Sequence, residues 1–373
     1  TARYRWHVWV LRGPLSRRRR VFRMVELGFP GRASVPPSPN SSLTVPMDLE
    51  TAISRSDLSI PGGPVEIFEG IRDHPYPWFL DSALERPERG RYSFLGSDPY
   101  LVLRATGEQV QLDCLRAVRP DLDRGRIVLE HDPFGVVRAL LPHPDDVEVF
   151  CDFPFVGGAV GYLGYELAER TEPVRLHRRN DLGLADLVLL FVDRLLAFDH
   201  QEGTACMFGL GFGKDRETAE ARARVAAVEF TAVVESVQKR SAKGKRPEQR
   251  PGCSDRRRIL ETPLPPDLHQ SFDEGRYAKA VTSILQEIQE GNVYQADLTH
   301  RMDFPFEGDA WSLYRVLREL NPAPFAAFLD LPEVAILSSS PERFLKADLR
   351  GELESRPIKG TRPRGSTPAE DAA

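Results

Sequence analysis

Ser338-Ser339-Ser340-Pro341-Glu342-Arg343-Phe344, followed by Arg356-Pro357-Ile358-Lys359-Gly360-Thr361-Arg362-Pro363-Arg364-Gly365, is the stretch that most narrows the fold and chemistry of this chain. It reads as a strand pair presenting one carboxylate, one amine, several guanidiniums and a Gly-Thr turn. Such a set suits a small dianionic substrate. Arginines and backbone N–H groups hold carboxylates, a carboxylate can serve as acid or base, and a lysine near other cations can lose its proton and become a nucleophile. By composition alone, a solvated basic turn is the simpler account.

Working outward, the spacing predicts a helix over 273–290, with Tyr277, Val281, Ile284, Leu285 and Ile288 on one stripe and Gly291 at its C′ position. A strand is expected over 293–304. A second helix is expected over 309–320, with Asp309 as N-cap and Pro322 past its end. Strands over 325–331, 335–339, 343–347 and 352–358 complete this part. Before it, residues 239–270 carry nine Lys/Arg between Lys239 and Arg258, then Pro263, Pro265 and Pro266. With no aromatic side chains interleaved to stack bases, that run reads as a linker and not as a nucleic-acid patch.

Upstream of the linker, short β-type runs are expected over 65–68, 78–83, 91–95, 100–105 and 110–113, punctuated by Gly90, Asp98-Pro99 and Gly107. A helix over 133–141 opens with Pro133. One long strand is expected over 185–199 with a hairpin partner over 204–210, and then a helix over 215–239 whose apolar face includes Ala219, Ala223, Ala227 and Phe230. Two glycine clusters invite comparison with phosphate loops. Gly157 to Gly164 is spaced GGxxGxxG and misses the dinucleotide fingerprint. Gly209-Leu210-Gly211-Phe212-Gly213-Lys214 is followed by Asp215, where a P-loop needs Ser or Thr. Close backbone packing explains both.

The 373 residues carry a net charge of −5, with 41% hydrophobic and 28% charged residues, an ordinary globular balance. Residues 1–46 hold nine arginines and one acid, Glu26, so a +8 segment precedes a −13 body. With Pro36-Pro37-Ser38-Pro39 inside it, this segment is expected to be disordered and outside the fold. A reading frame opened upstream of Met47, a transit peptide and a nucleic-acid arm each account for it. The most apolar stretch, 187–198, contains Asp193 and Arg194 and is too short to span a bilayer. Four scattered cysteines with no CxxC suit reduced thiols in a cytoplasmic protein. No HExxH or GxSxG motif occurs.

The Pro-Ile-Lys-Gly-Thr-Arg string, with Ser-Pro-Glu-Arg-Phe upstream and Gly291-Asn292-Val293-Tyr294-Gln295-Ala296-Asp297-Leu298-Thr299 before both, closely resembles the chorismate-utilising enzymes. That family includes the first components of anthranilate synthase and aminodeoxychorismate synthase, and the isochorismate synthases. Phe79-Leu80-Asp81-Ser82-Ala83, Gly90 to Gly96, Gly157 to Glu166 and Phe198-Asp199-His200 resemble its N-terminal domain. The resemblance implies an α+β fold of layered, largely antiparallel sheets with flanking helices. Residues 47–238 would form the N-terminal domain, and 271–373 only the first part of the catalytic domain.

Within the family, anthranilate synthases resemble Pro-Ile-Ala-Gly-Thr-Arg and aminodeoxychorismate synthases carry lysine, as Lys359 here. The resemblance therefore implies attack of Lys359 on chorismate, Glu342 as general acid/base, Gly360 and Thr361 holding substrate, and formation of 4-amino-4-deoxychorismate on the route to 4-aminobenzoate and folate. Ammonia would come from a glutamine amidotransferase subunit. An anthranilate synthase, another chorismate enzyme and a non-catalytic amidotransferase-binding fragment are the alternatives. The family also holds a tryptophan pocket, whose matching positions are Ser82, Pro324 and Phe325; ordinary core packing is the other reading of these three. The Mg²⁺-binding glutamates of the family are expected beyond Ala373, with no metal ligands in this chain. Unpaired sheet edges, uncovered apolar faces and no synthase activity are expected of the chain as it stands.

Overall fold

The computed structural model describes residues 7–12, 20–25, 49–84, 90–142, 153–176, 180–243, 266–348 and 351–356. In chain order the strands are β1 (His7–Arg12), β2 (Arg20–Val25), β3 (Glu50–Leu58), β4 (Trp78–Asp81), β5 (Tyr92–Gly96), β6 (Leu101–Thr106), β7 (Gln109–Cys114), β8 (Gly125–Glu130) and β9 (Gly158–Leu163). They continue as β10 (Leu187–Val192), β11 (Arg194–Asp199), β12 (Thr204–Gly213), β13 (His269–Gln270), β14 (Met302–Phe306), β15 (Phe325–Asp330), β16 (Val334–Ser340), β17 (Lys346–Ala347) and β18 (Leu353–Glu354). The α-helices are α1 (Gly63–Ile71), α2 (Pro133–Leu140), α3 (Ala168–Thr171), α4 (Arg216–Lys243), α5 (Glu274–Gln289) and α6 (Ala310–Leu320).

An antiparallel sheet of eleven strands, ordered β13-β14-β2-β1-β16-β15-β4-β5-β11-β12-β3, forms the centre. Its two faces follow from side-chain alternation along each strand. Phe79, Leu95, Leu196, Phe198 and Leu337 point to one side, where they pack with Phe68, Phe230, Trp311 and Tyr314 of the helices. Trp78, Phe94, Leu195, Phe208 and Ile336 point to the other and pack with Val102, Val160, Val188 and Leu190. Those last residues belong to a second antiparallel sheet, β8-β7-β6-β10-β9. The result is three layers, helices on a large sheet on a smaller sheet, and it is an α+β fold as expected. Where both faces of the large sheet are covered, its central strands β4, β5, β11, β12 and β15 read as near-continuous apolar runs.

Several expected elements come out differently. The run 65–68 is not a strand but lies in α1, which Gly63-Pro64 opens and which buries Ile67, Phe68 and Ile71. The long strand over 185–199 divides at Asp193. There the chain leaves one sheet for the other, and the buried Asp193 carboxylate is paired with Arg116. The strand over 293–304 shrinks to Met302–Phe306, and 343–347 to Lys346–Ala347. The helices over 273–290, 309–320 and 133–141 stand, each capped by an aspartate accepting a backbone N–H: Asp273 from Arg276 at 2.8 Å, Asp309 from Ser312 at 2.9 Å and Asp132 from Gly135 at 2.8 Å.

Residues 1–46 correct an expectation. Within them His7–Arg12 pairs with β16 and Arg20–Val25 pairs with β14, so part of this segment belongs to the large sheet. The physical reason lies in the runs His-Val-Trp-Val-Leu-Arg and Arg-Val-Phe-Arg-Met-Val, rich in β-branched and aromatic residues that favour strands. They offer ladder groups to the edges of β16 and β14, which would otherwise carry unpaired N–H and C=O groups. Residues on both sides of the expected linker also share the large sheet, through the pairing of β15 with β4. Exposed apolar groups do occur after the linker. Tyr277, Leu285, Tyr294, Phe344 and Leu353 are all exposed, and α5 buries no residue.

Both glycine clusters serve close packing. A Cβ on Gly161 would strike the Val188 carbonyl oxygen of the neighbouring strand, and one on Gly209 would lie 2.6 Å from the Ala227 amide nitrogen of α4. Cys114 and Cys206 are buried free thiols. Burial and then the Asp57 carboxylate push the Cys206 thiol up to about 11.

Candidate functional site

Strand β16 delivers Ser338, Ser339 and Ser340 to the point where Pro341 ends the ladder, because proline has no N–H to donate. Beyond it the Ser340 hydroxyl donates to the Glu342 carbonyl at 3.1 Å and closes the turn. Glu342 is half-buried. Among the described residues it makes no ion pair, whereas the neighbouring cations are committed elsewhere. Arg343 pairs with Glu354, and Arg356 reaches the same carboxylate at 2.8 Å. Arg356, with Arg343 adding to it against the opposing effect of burial, holds the Glu354 carboxyl below the ordinary carboxylate range. The Arg343 guanidinium also lies 5.2 Å over the Phe325 ring. Among the described residues, the turn thus presents a carboxylate next in sequence to Arg343, whose guanidinium is held by Glu354.

Of the expected site residues, Glu342 is placed at this turn, and Lys359, Gly360 and Thr361 lie outside the described residues. Phe325 begins β15 and meets Arg343, so it faces the Glu342 turn. Ser82 and Pro324, the residue before Phe325, are brought together by a hydrogen bond. The Ser82 hydroxyl hydrogen-bonds to the carbonyls of Tyr92 at 2.5 Å and Pro324 at 3.4 Å, while the Ser82 N–H donates to the Ser93 hydroxyl at 3.0 Å. Ser93, fully buried, is in turn 2.7 Å from the His200 ring.

Just before Ser82, the buried Asp81 carboxylate accepts from Arg318 at 2.8 Å and from the Tyr314 hydroxyl at 3.1 Å. Burial, and then Asp81, push the Tyr314 phenol well above its ordinary value, so it stays protonated and donates. Sequence reasoning quoted Asp81 and His200 only as parts of motifs and assigned neither a partner. Their partners stand 237 and 107 positions away in the chain, out of reach of any local pattern.

Arg91 grips Asp199 with hydrogen bonds of 2.6 to 3.0 Å. Burial alone would raise the Asp199 carboxyl; the Arg91 bonds and the N–H groups of Glu202 and Gln201 outweigh it and hold the group below its ordinary value. A carboxylate depressed in the folded state stabilises the fold above its unfolded pKa of about 3.9, and that contribution is lost as pH falls through the folded pKa. Asp199→Asn is therefore expected to flatten the decline of the urea midpoint below about pH 4. An unchanged acid slope in the variant would count against this ion pair as its source.

The magnesium ligands that the resemblance implies are expected beyond Ala373, outside the described residues. No three His, Cys, Asp or Glu groups converge among them, and Glu354 is already neutralised by two guanidiniums. Among the described residues, no helix is long and apolar enough to cross a membrane.

Comparison with known proteins identifies the family. A family model described as "chorismate binding enzyme" matches residues 84–373. An aminodeoxychorismate synthase of Streptomyces griseus is 37% identical over 309 residues, covering 81% of this chain and 39% of that protein. Anthranilate synthase component 1 of Geobacillus stearothermophilus is 29% identical, covering 83% of this chain and 58% of its own length. The chain thus spans well under two thirds of these relatives. The crystal structure of anthranilate synthase component I from Streptococcus pneumoniae TIGR4 superposes with a TM-score of 0.50 at 18% identity, over 71% of this chain and 53% of that one, which speaks for the fold alone. With the family model covering more than three quarters of its length, the chain belongs to the chorismate binding enzymes.

Proposed function

We propose that this chain carries the N-terminal domain and the first part of the catalytic domain of an aminodeoxychorismate synthase. The observation that carries the reading is Lys359 within Pro-Ile-Lys-Gly-Thr-Arg, downstream of the turn that presents Glu342. In this reading the Lys359 amine attacks C2 of chorismate, the ring double bonds shift, and the 4-hydroxyl takes a proton from Glu342 and leaves as water. Ammonia, supplied from glutamine by an amidotransferase subunit, adds at C4. The double bonds shift back and the lysine is expelled, leaving 4-amino-4-deoxychorismate, a precursor of 4-aminobenzoate. Covalent catalysis of this kind divides one difficult displacement into two easier ones. Gly360 and Thr361 would hold the substrate.

A chimaera of this chain with the remaining segments of the Streptomyces griseus relative, given chorismate, ammonium and Mg²⁺, tests the reading. 4-Amino-4-deoxychorismate is the expected product. Anthranilate formed directly would overturn the assignment, and undiminished turnover in Lys359→Ala would remove the covalent step.

For Ser82, Pro324 and Phe325 we propose a packing role and no tryptophan site. Support comes from the Ser82 hydroxyl, which spans to the Pro324 carbonyl, so the two walls of the expected pocket touch each other. An indole would have to part them. L-Tryptophan at millimolar concentration is expected to leave the melting temperature unchanged, and a dose-dependent rise would refute this.

A further inference from the structure

We propose that Asn321 is a positioning residue for Glu342, acting through Ser339; this rests on the acid–base role of Glu342 given above. Helix α6 ends at Asn321, whose backbone N–H caps the Leu317 carbonyl at 2.9 Å. The side-chain amide of Asn321 donates to the Ser339 hydroxyl at 2.9 Å, and that hydroxyl donates back to the Asn321 carbonyl at 2.6 Å. A serine hydroxyl has one proton to give, and here it is given to the residue that also supplies its donor. Ser339 is 1% exposed, so water cannot easily replace either bond, and losing them leaves a buried hydroxyl unsatisfied.

The place of this lock gives it a consequence for the site. Ser339 stands opposite Ala326 in the β15–β16 ladder, three residues before Glu342. Pro341 ends the backbone ladder. Just before that end the Asn321 side chain holds Ser339, and across it the Ser340 hydroxyl bonds the Glu342 carbonyl. The helix that carries Asn321 is itself held. Asp309, Arg315 and Arg318 pair with Arg72, Glu69 and Asp81 at 2.7 to 3.0 Å. Helix α6 is therefore a strut fixed along its length to the segment 69–81, and at its end to the strand that delivers Glu342.

Hydrogen exchange on the full chain tests the lock directly. Asn321→Ala is expected to speed exchange across 338–344 about tenfold, in keeping with the loss of a buried hydrogen bond, while 187–192 stays protected. Ser339→Ala, which loses both bonds where Asn321→Ala loses only the side-chain one, should have at least as large an effect, and the double variant no more than Ser339→Ala alone. Unchanged exchange across 338–344, or effects that multiply in the double variant, would overturn the proposal. In the chimaera, Asn321→Ala should lower kcat with KM little changed, because it displaces Glu342 without touching substrate contacts; a change confined to KM would also overturn it. Glu342→Gln separates the two ideas. If that variant keeps full turnover, the acid–base reading fails, and the exchange data still decide whether Asn321 fixes the turn.

Discussion

Replacing Gly211 with valine is expected to cost about 4 kcal/mol or more, enough to unfold most proteins of ordinary stability. Three glycines at alternate positions, Gly209, Gly211 and Gly213, face α4 from β12. Opposite them stand Ala227, Ala223 and Ala219, one turn apart on the 28-residue helix. Two strand residues rise about 6.7 Å and four helix residues about 6 Å, so the glycines and alanines stay in step as strand and helix run past each other in opposite directions. A Cβ on Gly211 would fall on the Ala219 carbonyl oxygen and the Ala223 amide nitrogen. These are backbone atoms in a rigid helix, so no rotamer can relieve the contact, and α4 would have to lift off the sheet. The packing of Phe230 and Val234 against Phe68 and Phe79 would go with it.

A control separates the clash from glycine's general effects. Gly275 lies in exposed α5, where a Cβ would come no closer than 3.6 Å to Asp273. Gly275→Ala is expected to be neutral or to stabilise by up to about 1 kcal/mol, since alanine is the better helix former. Urea unfolding of both variants is the measurement. A Gly211→Val protein with an unchanged midpoint would show that α4 does not sit on this strand.

Asp81→Ala is expected to cost about 3–5 kcal/mol, the range for removing one partner of a buried ion pair. The Asp81 side chain is 1% exposed, and its carboxylate satisfies both Arg318 and the fully buried Tyr314 hydroxyl. Without it a guanidinium and a phenol are left facing each other in the core with no acceptor. For contrast, Asp57 pairs with Arg55 at 3.1 Å but is 76% exposed, and Asp57→Ala should cost far less than Asp81→Ala. Equal effects of the two substitutions would deny Asp81 its role. The loss at Asp81 should also loosen Ser82 and the Asn321 end of α6, because Arg318 anchors that end of the helix.

Much of the local structure was legible because its causes lie within a few residues. Asp132, Asp273 and Asp309 cap helices that begin one residue later, and their partners stand three positions on. Short β-type runs punctuated by turn residues marked most strands, and the glycine clusters were readable as close contacts. The failures share a cause too. Residues 65–68 look like a strand in isolation, and only the burial of Ile67, Phe68 and Ile71 along one helical stripe makes them helix. Asp193 in an apolar run looks like a strand residue, until Arg116 pairs with it where the chain changes sheets.

By itself, the sequence determined the family, as the family model over residues 84–373 bears out. Ser-Pro-Glu-Arg-Phe and Pro-Ile-Lys-Gly-Thr-Arg point to a chorismate enzyme because residue types and their order carry that information without any fold. What only the tertiary structure decided is which distant edges meet. It joined β4 to β15 across the linker, drew His7–Arg12 against β16, and tied Asn321 to Ser339. Strand pairing is chosen by which edges remain open and which faces can be covered, and those quantities exist only once the rest of the sheet is in place.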